Sequence, residues 1–211
     1  MLTPQLTNSS VPITDMPIFP LHVFLLPKGR QKLRIFEAKY LTMVMASLES
    51  RGFVIAFPNP VKNDTEAQES NTPVSHWGTL VKIVDFDQGD DGVLLIDVEG
   101  EFLVSLQSFH YQDDGLLLSD CLPRPHWPTS SISEPVPPKP ILVATLKELF
   151  YQYQDLNLLY PIPHFESAHW VNARLLEVLP VPHKVKAHFI QPDSLSSLTT
   201  FLTTYIQGNN S

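Results

Sequence analysis

A single cysteine, Cys121, stands among 211 residues, so no internal disulfide can form and a hydrophobic core must hold the fold together. Basic residues are scarce as well. The chain has 14 Lys and Arg against 22 Asp and Glu, a formal net charge of -8, and no run of cations. Counterion release from nucleic acid needs clustered Lys and Arg, so a general DNA- or RNA-binding role is disfavoured. Long apolar runs are also missing. The most apolar early stretch, residues 16–26, is interrupted by Pro17, Pro20 and His22 and is too short to span a bilayer. Residues 1–15 are polar and lack the charged flank and apolar run of a secretory signal. These absences lead to the expectation of a soluble, cytoplasmic protein.

Signatures of catalysis are equally sparse. No Gly-x-x-x-x-Gly-Lys-Ser/Thr loop is present to cradle phosphates, and no Gly-x-Ser-x-Gly elbow to present a nucleophile. Cys121 has no local signature of a reactive thiol and reads as core filler at a strand end. His164 and His169, and likewise His183 and His188, are five apart, which does not align them on one helix face as in His-Glu-x-x-His. The histidines therefore read as surface or packing residues. Residues 85–90 look superficially like a calcium loop, but the glycine falls one place early and Ile96 occupies the position of the closing glutamate. A solvated hairpin tip is the plainer reading. The expectation is a chain with no catalytic residue, no metal site and no cofactor.

What the sequence does have is a 43% hydrophobic fraction and 20 prolines. Seven of these, Pro123, Pro125, Pro128, Pro135, Pro137, Pro138 and Pro140, fall in one short stretch. Proline lacks an amide donor and holds its predecessor extended, so neither helix nor central strand can run through it. The predicted division is a β-rich subdomain over residues 1–122, an exposed connector over 123–140 and a helical bundle over 141–211. Before the connector, extended patterns cover residues 19–26, 33–36, 53–57, 78–86, 93–98, 102–109 and 116–121, with turn signals at 27–30, 88–92 and 113–115. Short strands at this spacing point to a closed or nearly closed barrel. One helix interrupts them over residues 37–50, with Tyr40, Leu41, Val44, Met45 and Leu48 on its inward face and Gly52 as its stop. Residues 59–73 read as a mobile loop. Helical periodicity then covers 141–155, 167–179 and 182–190. A last helix is capped by Asp193 or Ser194, turns Leu195, Leu198, Phe201, Leu202 and Tyr205 inward, and closes at Gly208. The fold class is α+β.

Several blocks resemble a known family. Residues 16–29, MPIFPLHVFLLPKG, are similar to the opening of the substrate-binding domain at the amino terminus of ATP-dependent Lon proteases. Residues 33–44, LRIFEAKYLTMV, resemble its next block. Gly78 to Ile83, Gly92, Ile96 to Gly100 and the junction Leu175 to Pro182 match later features, so the resemblance covers nearly the whole chain. Ala38, Lys39 and the Glu101-Phe102 pair depart from the family pattern. The resemblance implies a PUA-like β pseudo-barrel with one inserted helix, followed by a helical bundle. It also implies a stand-alone, non-catalytic module, without the ATPase and Ser-Lys protease modules of Lon, that binds unfolded or extended polypeptide or a protein partner. An RNA-binding PUA-like protein is the alternative, though neither nucleic acid nor membrane is an expected partner. Phe19, Phe24, Phe36 and Tyr40 read mainly as core, with an apolar peptide groove as the other possibility. Peptide contacts are expected at the polar turn and first helix: Lys28, Arg30, Lys32, Glu37 and Tyr40. Arg30 and Lys32 would hold client carboxylates, and Tyr40 would offer an amphipathic contact. The plainer reading of the same loop is a solvated strand connection.

Overall fold

The structure, a computed structural model, describes residues 12–49, 51–59, 72–127 and 137–209. Its β half has six strands: β1 (Ile13–Pro20), β2 (Arg30–Ile35), β3 (Phe53–Pro58), β4 (Val74–Gln88), β5 (Leu94–Tyr111) and β6 (Leu117–Pro123). Their order is β2-β5-β4-β3-β1-β6, and β5 pairs with β6 as well. This last pairing closes β5, β4, β3, β1 and β6 into a ring, the PUA-like pseudo-barrel, with β2 added on β5. Strand length makes the closure possible. The first part of the 18-residue β5 pairs with β2 and its last part with β6, while β4 runs along its other side. β1 and β3 are parallel, and the other pairs are antiparallel.

Two expected strands, 93–98 and 102–109, are thus one. Gly100 does not break β5, because its role is close approach: a Cβ there would stand 2.6 Å from the Leu26 carbonyl oxygen. Without one, the turn after Leu26 lies against β5. Lys28 N–H donates to the Gly100 carbonyl at 2.7 Å, and Gly100 N–H donates to that of Gly29 at 2.8 Å.

The expected strand over 19–26 is corrected. β1 ends at Pro20, and residues 21–29 belong to no strand. The apolar run there serves two cores. Phe19 and Leu25 pack inside the barrel, whereas Phe24 and Leu26 turn into the core of the helical half.

Helix α1 (Ala38–Glu49) covers one end of the barrel through a narrow face of Met43, Val44 and Ser47, with Tyr40 half-buried. Ser47 is buried because its hydroxyl donates to the Met43 carbonyl at 2.7 Å. The predicted inward stripe is rotated: Leu41, Met45 and Leu48 are 36%, 71% and 58% exposed. Phe36, expected in the core, is also exposed.

The helical half contains α2 (Pro140–Gln152), α3 (Gln154–Leu159), α4 (Ala168–Val178), α5 (His183–His188) and α6 (Leu195–Asn209). The helix expected over 141–155 is two, since Tyr153 leaves helical geometry at φ −115°, ψ 92°. Ser167 caps α4 by accepting from Trp170 N–H at 3.3 Å. α4 is central, with eight of its residues buried, and both α2 and α6 pack on it. Ser194 directly precedes α6, but its hydroxyl donates to the carbonyls of Phe189 and Gln191 instead of accepting from the helix. Gly208 lies within α6 instead of closing it.

Phe24, Leu26, Leu103 and Trp127 join the core of this half, so both halves share packing. Trp127 lies in the stretch expected to be an exposed connector, yet its indole N–H donates to Phe189 O and Ser194 Oγ, both at 3.0 Å. Residues 128–136 of that stretch, and 60–71 of the loop expected at 59–73, lie outside the described residues. No helix among the described residues is long and apolar enough to cross a membrane.

Candidate functional site

Where the barrel meets the helices, the chain after β1 borders a cavity of about 440 Å³. One wall is made by residues 22–25 with Arg30 and Gln31, and the other by α2, α3, α4 and the start of α5. The volume is in the range of sites that take small ligands or a few residues of peptide.

The first wall carries main-chain groups with nothing to bond to. Leu21 N–H still donates to Ala56 O at 3.0 Å, extending the parallel ladder by one residue. Beyond it, among the described residues, the N–H groups of residues 22–25 and the carbonyls of residues 22–24 have no protein hydrogen-bond partner. Pairing resumes at Leu25 O, which accepts from Thr79 Oγ1 at 2.6 Å, and at Leu26 N–H, which donates to Glu177 Oε1 at 2.7 Å. Unsatisfied main-chain groups on a rigid frame are the groups that an extended peptide pairs with.

The floor is a buried ion pair. Arg174 Nη2 donates to Glu177 Oε1 at 2.7 Å and to Pro27 O at 3.2 Å, while its Nε lies 2.6 Å from Glu177 Oε2 as an ion pair. The Arg174 guanidinium lies over the rings of Tyr160 and Trp170. The pair thus ties α4 to residues 26–27 and fixes the spacing of the walls. Lys186 of α5 is 7% exposed and donates from Nζ to the Glu177 main-chain carbonyl at 2.8 Å. Burial holds its ammonium below the ordinary lysine range, against the opposing pull of Glu177.

Beside the mouth lies a nest of rings. His183 stacks on Phe57 at 4.0 Å and on Trp77 at 5.8 Å, and Phe24 meets His183 edge-on at 5.4 Å. Burial and then the Lys186 charge lower the His183 pKa, so the ring is neutral near pH 7. The rest of the lining, including Val23, Phe150, Leu156 and Val178, is apolar.

The residues expected to contact peptide are dispersed. Arg30 alone of the five lines the cavity. Its guanidinium pairs with Glu99 at 2.9 Å, and its N–H donates to Tyr160 Oη at 2.7 Å. Lys28 also approaches Glu99, at 3.6 Å. Burial raises the Glu99 carboxyl, but Arg30, Lys28 and Lys82 outweigh it, and its pKa lies below the ordinary value. Lys32 pairs with Asp97 at 2.9 Å, and Glu37 with Lys39 at 3.3 Å. Tyr40 packs on Phe19 with centroids 4.6 Å apart. Cys121 is fully buried, and burial followed by the Asp120 charge pushes its thiol up to about 12. Among the described residues no cluster of three His, Cys, Asp or Glu side chains is arranged to hold a metal.

Sequence reasoning missed residues 22–25 as main-chain donors, missed Arg174 and Lys186, and met Glu177 only as part of the Leu175 to Pro182 junction. A signal existed for the ion pair: two opposite charges three apart inside an otherwise apolar helix, next to a block with family resemblance.

The family model of the ATP-dependent protease La (Lon) substrate-binding domain matches residues 15–202. The chain belongs to this family. A Lon N-terminal domain protein from Xanthomonas campestris has a similar structure, at 26% identity and a TM-score of 0.63, over 92% of this chain and 99% of that one. The N-terminal domain of the Mycobacterium avium complex Lon protease matches at 10% identity and a TM-score of 0.56, over 90% and 97% of the two chains. That second likeness concerns the fold alone. Comparison with curated proteins gave no match. The junction Leu175 to Pro182, picked out by resemblance, proves to supply Glu177, Val178 and Val181 to the cavity.

Proposed function

We propose that this Lon substrate-binding domain holds extended segments of other polypeptides in the junction groove, as a binding module without chemistry of its own. The observation that carries the reading is the row of unpartnered main-chain groups at residues 22–25, which line the same cavity as the apolar side chains of the helical half. Main-chain pairing supplies affinity for any sequence, and the apolar lining adds a preference for the side chains that unfolded chains expose. The groove is preferred over the 27–32 turn because Arg30, Lys32 and Glu37 already have partners of opposite charge within the chain. The RNA-binding alternative gains no support from the family match or from this lining.

The test is binding of a permanently unfolded protein, reduced and carboxymethylated α-lactalbumin, to the full chain. Val178, on the groove wall and 42% exposed, tolerates a larger side chain without disturbing the core. Val178→Arg should weaken binding about tenfold or more by filling the groove, whereas Lys32→Ala should bind as the parent does. The opposite ranking would move the site to the turn.

A further inference from the structure

The groove contains an unbalanced charge. Its floor has two cations, Arg174 and Lys186, and one carboxylate, Glu177. One oxygen of Glu177 accepts from Arg174 Nη2 and Leu26 N–H, and the other lies 2.6 Å from Arg174 Nε as an ion pair, so this single carboxylate is shared between Arg174 and the more remote charge of Lys186. Arg30, on the rim, is matched by Glu99. Two floor cations against one carboxylate leave one positive charge in excess, and Lys186 is the one with no carboxylate within ion-pair distance among the described residues. Its ammonium has three N–H donors, one acceptor among the described residues (the Glu177 carbonyl), and the face of Phe24 at 5.7 Å. Lys186 is only 7% exposed, and a cation on so buried a residue is costly to keep without a close counter-charge. In a chain of net charge -8, an excess of positive charge in the groove is not a property of the surface in general.

We propose that the groove reads the free C-terminal carboxylate of the polypeptide it binds, with Lys186 as its counter-ion. This rests on the reading of the groove as a polypeptide site and adds the end of the chain to it. The terminal carboxylate is attached directly to the main chain. Lys186 lies over the ring of Phe24, inside the stretch a peptide would pair with, so a peptide ending there would bring its terminal carboxylate to this ammonium. An aspartate or glutamate side chain projects out of the plane of main-chain pairing and is a poorer match. An apolar last residue would fill the space between Val178, Leu156 and Phe150.

The experiment measures fluorescence anisotropy of three dye-labelled octapeptides with the full chain. All begin with serine and glycine, and the parent sequence ends in leucine-alanine-valine-leucine. One has a free carboxylate, one a C-terminal amide, and one an amide with aspartate in place of the alanine. The free acid should bind about tenfold tighter than the amide, as expected for one charge-assisted contact in a partly dry site. Lys186→Met, which keeps the apolar stem, should abolish that difference. Equal binding of acid and amide by the parent chain overturns the proposal while leaving the groove reading intact, and it needs no folded variant. The same holds if the aspartate amide matches the free acid, or if the difference survives in folded Lys186→Met. Failure of all three peptides to bind overturns both readings.

Discussion

His126 shows how a single half-buried ring can make stability depend on pH. It stacks on Trp127 at 4.2 Å, and its Nδ1 lies 3.3 Å from the Ile190 carbonyl, which suits a neutral ring donating from that nitrogen. Burial dominates, and the ring pKa drops from 6.5 to about 4. The unfolded chain then takes up a proton near pH 6.5, while the folded one resists until about pH 4. Stability is fully present above that window and is lost as pH falls through it. His126→Phe keeps the stacking and removes the titration. Urea midpoints measured across the window should fall less steeply with acid in the variant, by about one proton's worth of slope. The Arg174–Glu177 pair makes a second residue-scale prediction. Glu177→Ala leaves a buried guanidinium and the Leu26 N–H without their acceptor. Removing one partner of a buried pair costs about 3–5 kcal/mol, so the urea midpoint should drop sharply, whereas a surface change such as Glu148→Ala should scarcely register.

At the scale of elements, α1 tests which helix face faces the barrel. Val44 is buried and Met45 is 71% exposed, although both are apolar neighbours in sequence. Val44→Asp should therefore destabilise by several kcal/mol, of order 3 or more, and Met45→Glu should stay within about 0.5 kcal/mol of the parent. The sequence pattern alone predicts the opposite for Met45, because Tyr40, Leu41, Val44, Met45 and Leu48 form a tidy stripe. The helix rests on Met43, Val44 and Ser47 instead, and a buried serine that bonds its own helix is invisible to a search for apolar periodicity. The early strand failed for a related reason. Residues 19–26 are uniformly apolar, and nothing in composition tells that Phe19 and Leu25 enter one core while Phe24 and Leu26 enter another. Elements with one face and clear punctuation were legible: β3, β4, β6, α4 behind Ser167 and the stop at Gly52, which takes φ +88°. The groove was only partly legible. Phe24 and the Leu175 to Pro182 junction were visible as motifs, but their meeting depends on a fold that brings residues about 150 apart into contact, as in the Leu26–Glu177 hydrogen bond.

At the scale of the whole molecule, the strands close into a ring, the helices gather on α4, and the segment after β1 lies between them. It lies on the shared core, yet the main-chain N–H groups of residues 22–25, all of which line the groove, have no partner among the described residues. That is how a barrel and a bundle together can hold another chain without either one changing its own pairing. The most direct test is amide hydrogen exchange of the full chain with and without saturating carboxymethylated α-lactalbumin. These amides should exchange quickly in the free protein and slow at least tenfold when the client is bound, with β2 and the start of α1 unchanged. Unchanged exchange at residues 22–25, with protection appearing at 27–40 instead, would contradict the account and place the binding surface on the turn and first helix.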